Sequence, residues 1–276
     1  MHFLALLLVV ALMWFTPLRT GLPLDLPKAW VTRVVRRYPV RQPLAGLLLV
    51  LLPLLILVLL QWWLQRNGLG LIGLLLFALV LLACVGRRDP LGAMATGFEQ
   101  AWDRGDRAAA ALVAERDLGV VAEGQDSVLS EVRSALVREV LHGYMVTVFW
   151  FALLGPAGAL GYRLLRLLAD QEDSPAASPA SALAHALEWI PARLLAASFA
   201  LVGHFDHVRA ELADVMLRWE LPSDVLVHRA AEAALNGSSG SLAGAGAEGV
   251  LADTRTLLVR ALVVWAVALA LLAVLG

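Results

Sequence analysis

The chain is short of charge, has a single cysteine and has no excess of either sign. Of its 276 residues only 16% are Asp, Glu, Lys or Arg, against 60% hydrophobic residues, a balance that excludes an ordinary soluble domain. Twenty-two basic residues against 23 acidic ones leave a net charge of -1. No polycationic footprint exists, and nucleic acid is excluded as the main partner. One cysteine excludes an intramolecular disulfide and a cysteine-rich zinc site. Cys84 lies in the apolar run Leu81-Leu82-Ala83-Cys84-Val85, where it reads as a packing residue. What is present is oil: the mean hydropathy is +0.75, and the apolar residues fall in several separate runs. The expected class is all-α, a polytopic helical membrane protein.

Four runs are apolar enough to enter a bilayer. Phe3 to Phe15 has no Lys or Arg ahead of it and no small-residue cleavage site, so it reads as an uncleaved anchor rather than a secretory signal. Leu44 to Leu64 is free of charge and reaches roughly 30 Å as a helix, the thickness of the hydrocarbon layer. Pro53 in its middle predicts a kink. The turn Gln65-Arg66-Asn67-Gly68 leads into Leu69–Val85, and Trp62 and Trp63 sit where interfacial aromatic anchors belong. Leu257 to Leu275 closes the chain, with Arg260 placed to snorkel. Gly143 to Leu168 is interrupted by Gly155-Pro156-Ala157-Gly158, and either spans with a break or re-enters. In residues 187–205 only Leu194–Gly203 is uncharged, which at about 15 Å predicts a buried or partly inserted helix.

Basic residues orient these segments. Arg19, Lys28, Arg33, Arg36, Arg37 and Arg41 face one acid, Asp25, between the first two runs, so that loop is expected to be cytoplasmic. Arg66 then lies outside and Arg87-Arg88 inside. Residues 169–255 hold five Arg against twelve acids, and the side of the membrane they occupy stays open. The expected organisation is 1–85, anchor and hairpin; 86–142, a helical cytoplasmic portion; 143–235, a broken membrane helix and buried helices; 236–256, a linker; and 257–276, the last span.

Within 86–142 helices are expected over Gly92–Arg104, over Asp106–Arg116 with Asp103 or Asp106 as cap, and from Asp126-Ser127 onward, with Leu129, Val132, Leu136 and Val140 at helical spacing. Asp170–Ser181 reads as flexible. So does Asn236–Gly249, with five Gly and three Ser, which is no phosphate loop because no strand precedes it and no Lys-Ser follows.

Three polar groupings are candidates for chemistry. His204-Phe205-Asp206-His207 puts two imidazoles at i, i+3, but lacks the His-Glu-x-x-His pattern and is equally a solvated helix end. Asp103, Asp106, Glu115 and Asp117 with Arg104, Arg107 and Arg116 read as caps and surface pairs. Tyr162-Arg163 after the Gly-Pro break, and Pro191-Ala192-Arg193 after Glu188-Trp189, place ionisable groups inside apolar stretches, where an arginine needs a partner or water. Glu188 is one candidate partner for Arg193. Arg163 and Arg166 can also snorkel from a helix end. The candidate ligand-binding residues are therefore Tyr162, Arg163, Glu188 and Arg193. No catalytic residue, metal ligand or cofactor is expected.

Phe149-Trp150-Phe151-Ala152-Leu153-Leu154-Gly155-Pro156-Ala157-Gly158-Ala159-Leu160-Gly161-Tyr162-Arg163, followed by Trp189-Ile190-Pro191-Ala192-Arg193-Leu194, resembles the AmpE family of bacterial inner-membrane proteins. Ala101-Trp102-Asp103-Arg104-Gly105-Asp106 and Ala114-Glu115-Arg116-Asp117-Leu118 support the resemblance, which spans the whole chain. It implies a multi-pass inner-membrane sensory or modulatory protein acting with a cytoplasmic anhydromuropeptide amidase in β-lactamase induction. The expected partners are membrane lipid, that amidase or another protein, and a small anionic ligand beside Arg163 and Arg193.

The same elements are similar to those of the membrane-bound adenosylcobinamide-phosphate synthases, which implies an alternative, an enzyme forming an amide bond with ATP. Those synthases carry Glu-x-x-x-Glu-Asn-x-x-Asp-Gly ahead of a Phe-Trp. Here Ser134, Arg138, Glu139 and His142 stand in that stretch, and the carboxylates that would hold magnesium on phosphates are lost apart from a shifted Glu139. A shared fold need not carry a shared reaction.

Overall fold

The computed structural model describes residues 25–37, 42–86, 89–120, 127–235 and 247–275, and over these the protein is all-α. The opening run Phe3–Phe15, Arg87-Arg88, Asp126 and most of the Asn236–Gly249 linker lie outside the described residues.

Helix α1, Leu26–Arg37, buries Pro27, Val31 and Val34 and is capped by Asp25, whose Oδ1 accepts the Lys28 N–H at 3.0 Å. The second apolar run is two helices, α2 (Pro43–Val50) and α3 (Leu52–Arg66), parted by one residue, Leu51. Pro53 is the reason, since it has no N–H to bond backward. The Leu51 N–H still reaches the Leu47 carbonyl, so the expected kink is what forms, and Pro43–Leu64 remains long and apolar enough to cross a membrane. The hairpin turn uses Gly68 at φ +69°, a conformation that favours glycine. Asn67 Nδ2 donates to the Trp63 carbonyl at 2.7 Å and Arg66 lies over the Trp62 ring. α4, Gly70–Cys84, follows.

The next helices are α5 (Thr96–Asp103) and α6 (Arg107–Val113). Of the two expected caps it is Asp106 that serves, accepting the Ala109 N–H at 2.9 Å, while Arg107 stacks 3.5 Å over the Trp102 ring. α7, Val128–Glu139, buries Val132 and Leu136, and Val140 just beyond it is buried as well. It does not stop at residue 142. A π-helical turn, Val140–Met145, carries it into α8, Val146–Leu154. The resulting Val128–Leu154 is a second helix long and apolar enough to cross a membrane.

At Gly155, with φ +69° and ψ -158°, the chain reverses into α9, Pro156–Ala169. Eight residues of straight helix rise about 12 Å, yet a Cβ at Gly158 would lie 2.5 Å from the Trp150 carbonyl oxygen. α8 and α9 are thus a tight helical hairpin whose close approach requires that glycine.

Two expectations need correction. Asp170–Ser181 is flexible-looking only in composition: Ser174 Oγ accepts the Ala176 N–H, and α10 begins at Ala177 and runs to Val202 through Pro191. Its alanines favour helix, and Ala180 within it and Ala176 just ahead of it are buried. The short inserted piece expected within 187–205 is the second half of that long helix. After α11 (Phe205–Leu212) and α12 (Ser223–Leu235), α13 spans Ala247–Leu275. It begins ahead of Leu257 because Arg255, polar in sequence, is paired in space. Leu251–Leu271 is its membrane-length portion.

Contacts divide the chain into two compact units. In the first, residues 1–87 and 143–190, α9 is the central helix, packed on α1, α2, α3, α4 and α8. Its Leu164, Leu165, Leu167 and Leu168 meet Val31, Val34, Leu47 and Val50. Cys84 sits in the neighbouring cluster with Phe77, Leu81, Phe151 and Ala159, a packing residue as expected. In the second unit, residues 88–142 and 191–276, α13 packs on α5, α7 and α12. Leu55, Ile56 and Leu59 of α3, Leu71, Ile72 and Leu75 of α4, and Val263, Val267 and Leu271 of α13 are exposed. Rows of exposed aliphatic residues on apolar helices are what lipid covers, although α4, at 15 residues, is shorter than the membrane-length segments Pro43–Leu64 and Leu251–Leu271.

Candidate functional site

In the first unit, α9 presents three polar side chains from an otherwise leucine-rich helix. Tyr162 is fully buried and donates its hydroxyl to Glu188 Oε1 of α10 at 2.8 Å. Arg166, one turn on, donates from Nη1 to the same Oε1 at 3.4 Å and lies 3.8 Å from Asp170. Trp150 Nε1 donates to the Leu187 carbonyl at 2.9 Å, which sets α10 against the hairpin beside Glu188. The carboxylate is buried, with 6% of its side chain exposed. In that setting an ion pair is tolerated only when its remaining lone pairs are also bonded, and the Tyr162 hydroxyl does this.

Arg163 points to a different carboxylate. Its Nη2 donates to Asp25 Oδ2 at 3.3 Å, across 138 positions of sequence. Asp25 thus caps α1 with one oxygen and binds α9 with the other. Arg163 Nε is buried without a hydrogen-bond partner, so this guanidinium keeps an unused donor in a desolvated place.

The expected set of four therefore separates. Tyr162 and Glu188 are bonded to each other, and Arg163 is held by Asp25. Arg193 belongs to the second unit, where Nε donates to the Met216 carbonyl at 3.0 Å and Nη2 to the Arg218 carbonyl at 2.7 Å. It closes the carbonyl ends of the turn that follows α11, a task for which a planar five-donor fork is suited. Arg166 and Asp25 complete the first unit's network. In the sequence Arg166 reads as a snorkelling residue and Asp25 as a lone loop acid; helical i,i+4 spacing joins Arg166 to Asp170, but no spacing rule joins Arg166 to Glu188 or Asp25 to Arg163.

The second unit holds another bridge without a sequence signal. Arg255, in the first turns of α13, makes a two-pronged contact with Glu99 of α5, at 2.6 and 3.0 Å, and reaches the Gly92 carbonyl at 3.1 Å. Trp265 Nε1 donates to Ser198 Oγ at 3.1 Å, and that hydroxyl donates to the Leu194 carbonyl. The surface acids behave as expected: Arg116 and Asp117 pair with each other at 2.7 Å in solvent, and this bond holds the Asp117 carboxyl below its ordinary pKa. His204 and His207 lie edge to face, 5.9 Å between centroids. Among the described residues no group of three or more His, Cys, Asp or Glu is placed to hold a metal ion.

Comparison with curated proteins gives no match, and neither does comparison with solved structures. A protein family does match, described as regulatory signalling modulator protein AmpE, over residues 1–233, a stretch that includes the Gly155-Pro156 reversal, Tyr162-Arg163, Glu188 and Arg193. With most of its length matched, the chain belongs to the AmpE family, an all-α membrane protein with a signalling and modulatory role.

Proposed function

We propose that this is a multi-pass protein of the bacterial inner membrane that modulates β-lactamase induction together with a cytoplasmic anhydromuropeptide amidase, and that its first unit takes a small anionic ligand at Arg163. The observation that carries the ligand part is the pairing of Arg163. Its guanidinium has one carboxylate partner, Asp25, and a buried Nε without an acceptor. An anionic ligand such as a muropeptide carboxylate would compete with Asp25 for that guanidinium and satisfy the orphan donor. Because Asp25 also caps α1, the exchange would loosen the start of that helix, which gives a modulator something to transmit. Tyr162, Arg166 and Glu188 hold α9 and α10 in register around the exchange. Arg193 orders the turn after α11 in the second unit.

The orientation that fits this reading has both chain ends outside and the helical portion around α5–α7 in the cytoplasm. The packing of α9 back on α8 supports its return to the side from which α8 enters, and the Arg255–Glu99 bridge supports keeping the start of α13 with α5. Arg87-Arg88 in sequence places that side inside.

One experiment addresses both parts. The full chain, as wild type, Arg163→Glu and Asp25→Asn, is returned to cells lacking the natural copy, and β-lactamase is measured after a β-lactam pulse. A cysteine placed at Gly240 in a Cys84→Ser background reports sidedness. Expected are altered induction with Arg163→Glu, a smaller change with Asp25→Asn, and labelling of position 240 only after permeabilisation. Unchanged induction by a correctly inserted Arg163→Glu protein overturns the ligand site. Unchanged induction without any copy of the protein overturns the modulatory role.

A further inference from the structure

Helix α1 is amphipathic in a way the ligand site does not use. One side, Pro27, Val31 and Val34, is buried against Leu164 and Leu168 of α9 and Leu47 and Val50 of α2. Trp30 Nε1 donates to the Val50 carbonyl at 3.2 Å, so the helix cannot roll on its seat. The opposite side carries Lys28, Arg33, Arg36 and Arg37, all exposed. Together with Thr32 they line an open cleft of about 630 Å³.

No carboxylate among the described residues pairs with any of these four cations. The single acid in the cleft, Asp25, is engaged by Arg163 and by the α1 backbone. Four like charges within three turns of helix repel one another, and the described residues supply no paired carboxylate for them. Something outside the chain is the natural source of one.

The position of the helix says what that is. α1 packs on α2, the first turns of the Pro43–Leu64 membrane helix. Leu44 and Leu48, at the start of that helix, are each 68% exposed, an apolar surface suited to lipid chains. The cations therefore stand beside the point where a spanning helix enters the bilayer, at the level of the headgroups. Basic clusters directly next to a spanning helix attract anionic lipid, and an amphipathic helix fixed at that level presents its cations to the phosphates.

We propose that α1 is a binding surface for anionic phospholipid headgroups, with lipid phosphates seated among Lys28, Arg33, Arg36 and Arg37. The interaction is largely electrostatic, so it weakens as salt rises. It is independent of the ligand reading at Arg163, because none of the four side chains takes part in that network.

The test uses the full chain in detergent, equilibrated with phosphatidylglycerol or phosphatidylcholine and examined by native mass spectrometry. The wild type is expected to retain phosphatidylglycerol roughly tenfold better than phosphatidylcholine. The variant K28Q/R33Q/R36Q/R37Q is expected to lose that preference, and K28R/R33K/R36K/R37K to keep it. Should the neutral variant fail to fold, raising salt on the wild type replaces it, and retained phosphatidylglycerol should fall while phosphatidylcholine does not. Equal retention of both lipids by the wild type, or an undiminished preference in the neutral variant or at high salt, overturns the proposal. So does displacement of the lipid by millimolar inorganic phosphate, which would make this a site for a free anion instead.

Discussion

The two units solve the same problem, a charged side chain among apolar helices, in different ways. In the first, Glu188 is enclosed and shared by Tyr162 and Arg166, and Arg163 reaches back to Asp25. In the second, Arg193 is held by two backbone carbonyls, and Arg255 by the two-pronged contact with Glu99, which is more open, at 12% side-chain exposure against 6% for Glu188. Bonding an arginine to carbonyls that end a turn fixes one conformation. Bonding it to a carboxylate that a ligand's own carboxylate can imitate leaves an exchangeable contact. By this rule Arg193 is the fixed contact, and under the proposed ligand reading Arg163–Asp25 is the exchangeable one.

The comparison breaks first at the two glutamates. Removing one partner of a buried pair leaves the other charge without compensation, at a cost of about 3–5 kcal/mol. Glu188→Ala removes the acceptor of the buried Tyr162 hydroxyl and the buried carboxylate of Arg166, which keeps Asp170 at 3.8 Å, so it is expected at the lower end of that range, read as a lowered thermal transition of the detergent-solubilised full chain. Glu99→Ala leaves Arg255 its Gly92 carbonyl and strands no second buried side chain, and should cost less, about 1–3 kcal/mol. Equal losses would show that the two networks do not differ in burial as described.

A second, smaller effect sharpens the contrast, because the helical hairpin belongs to the first unit alone. Gly155 holds a positive φ with extended ψ, a region open to glycine and costly to other residues, about 1–3 kcal/mol. Gly155→Ala is expected to lower the melting temperature. It should also reduce any ligand response at Arg163, since Tyr162, Arg163 and Arg166 all hang from the helix that this turn launches. A stable Gly155→Ala protein with unchanged response would detach the reversal from the site.

Legibility in the sequence followed the range of the interaction. The Pro43–Leu64 segment, the Gly68 turn, the Asp106 cap and the buried Cys84 depend on neighbours a few residues away or on bulk hydropathy, and all could be read. Gly155-Pro156 announced an interruption, but whether it bends or reverses depends on the approach of Gly158 to Trp150, which residue order does not encode. The partners of the arginines were hidden for the same reason: Arg163 and Asp25 are 138 positions apart, and Arg255 and Glu99 are 156 apart. Arg255 stood in what composition marks as a linker, and nothing short of the fold shows that α13 begins there. Glu188 was noticed as a charge in an apolar run, and its partners proved to be Tyr162 and Arg166 rather than a residue close in sequence.

The mildest change supplies the control for all of these. Arg116 and Asp117 form a short bond in full solvent, and that bond lowers the Asp117 pKa. A carboxyl whose pKa is depressed by folding stabilises the folded state above its unfolded pKa, and the contribution fades as pH falls through the folded value. The sign therefore predicts slightly lower stability in acid for the wild type and a flatter profile for Asp117→Asn. In solvent, with both side chains mobile, such pairs contribute little. The expected outcome is a melting curve for Asp117→Asn that overlays the wild type at neutral pH and diverges from it, if at all, only in the acid range. A clear drop at neutral pH would mean that this pair is covered by a partner or by lipid, and that the helical portion between the membrane segments has a bound face of its own.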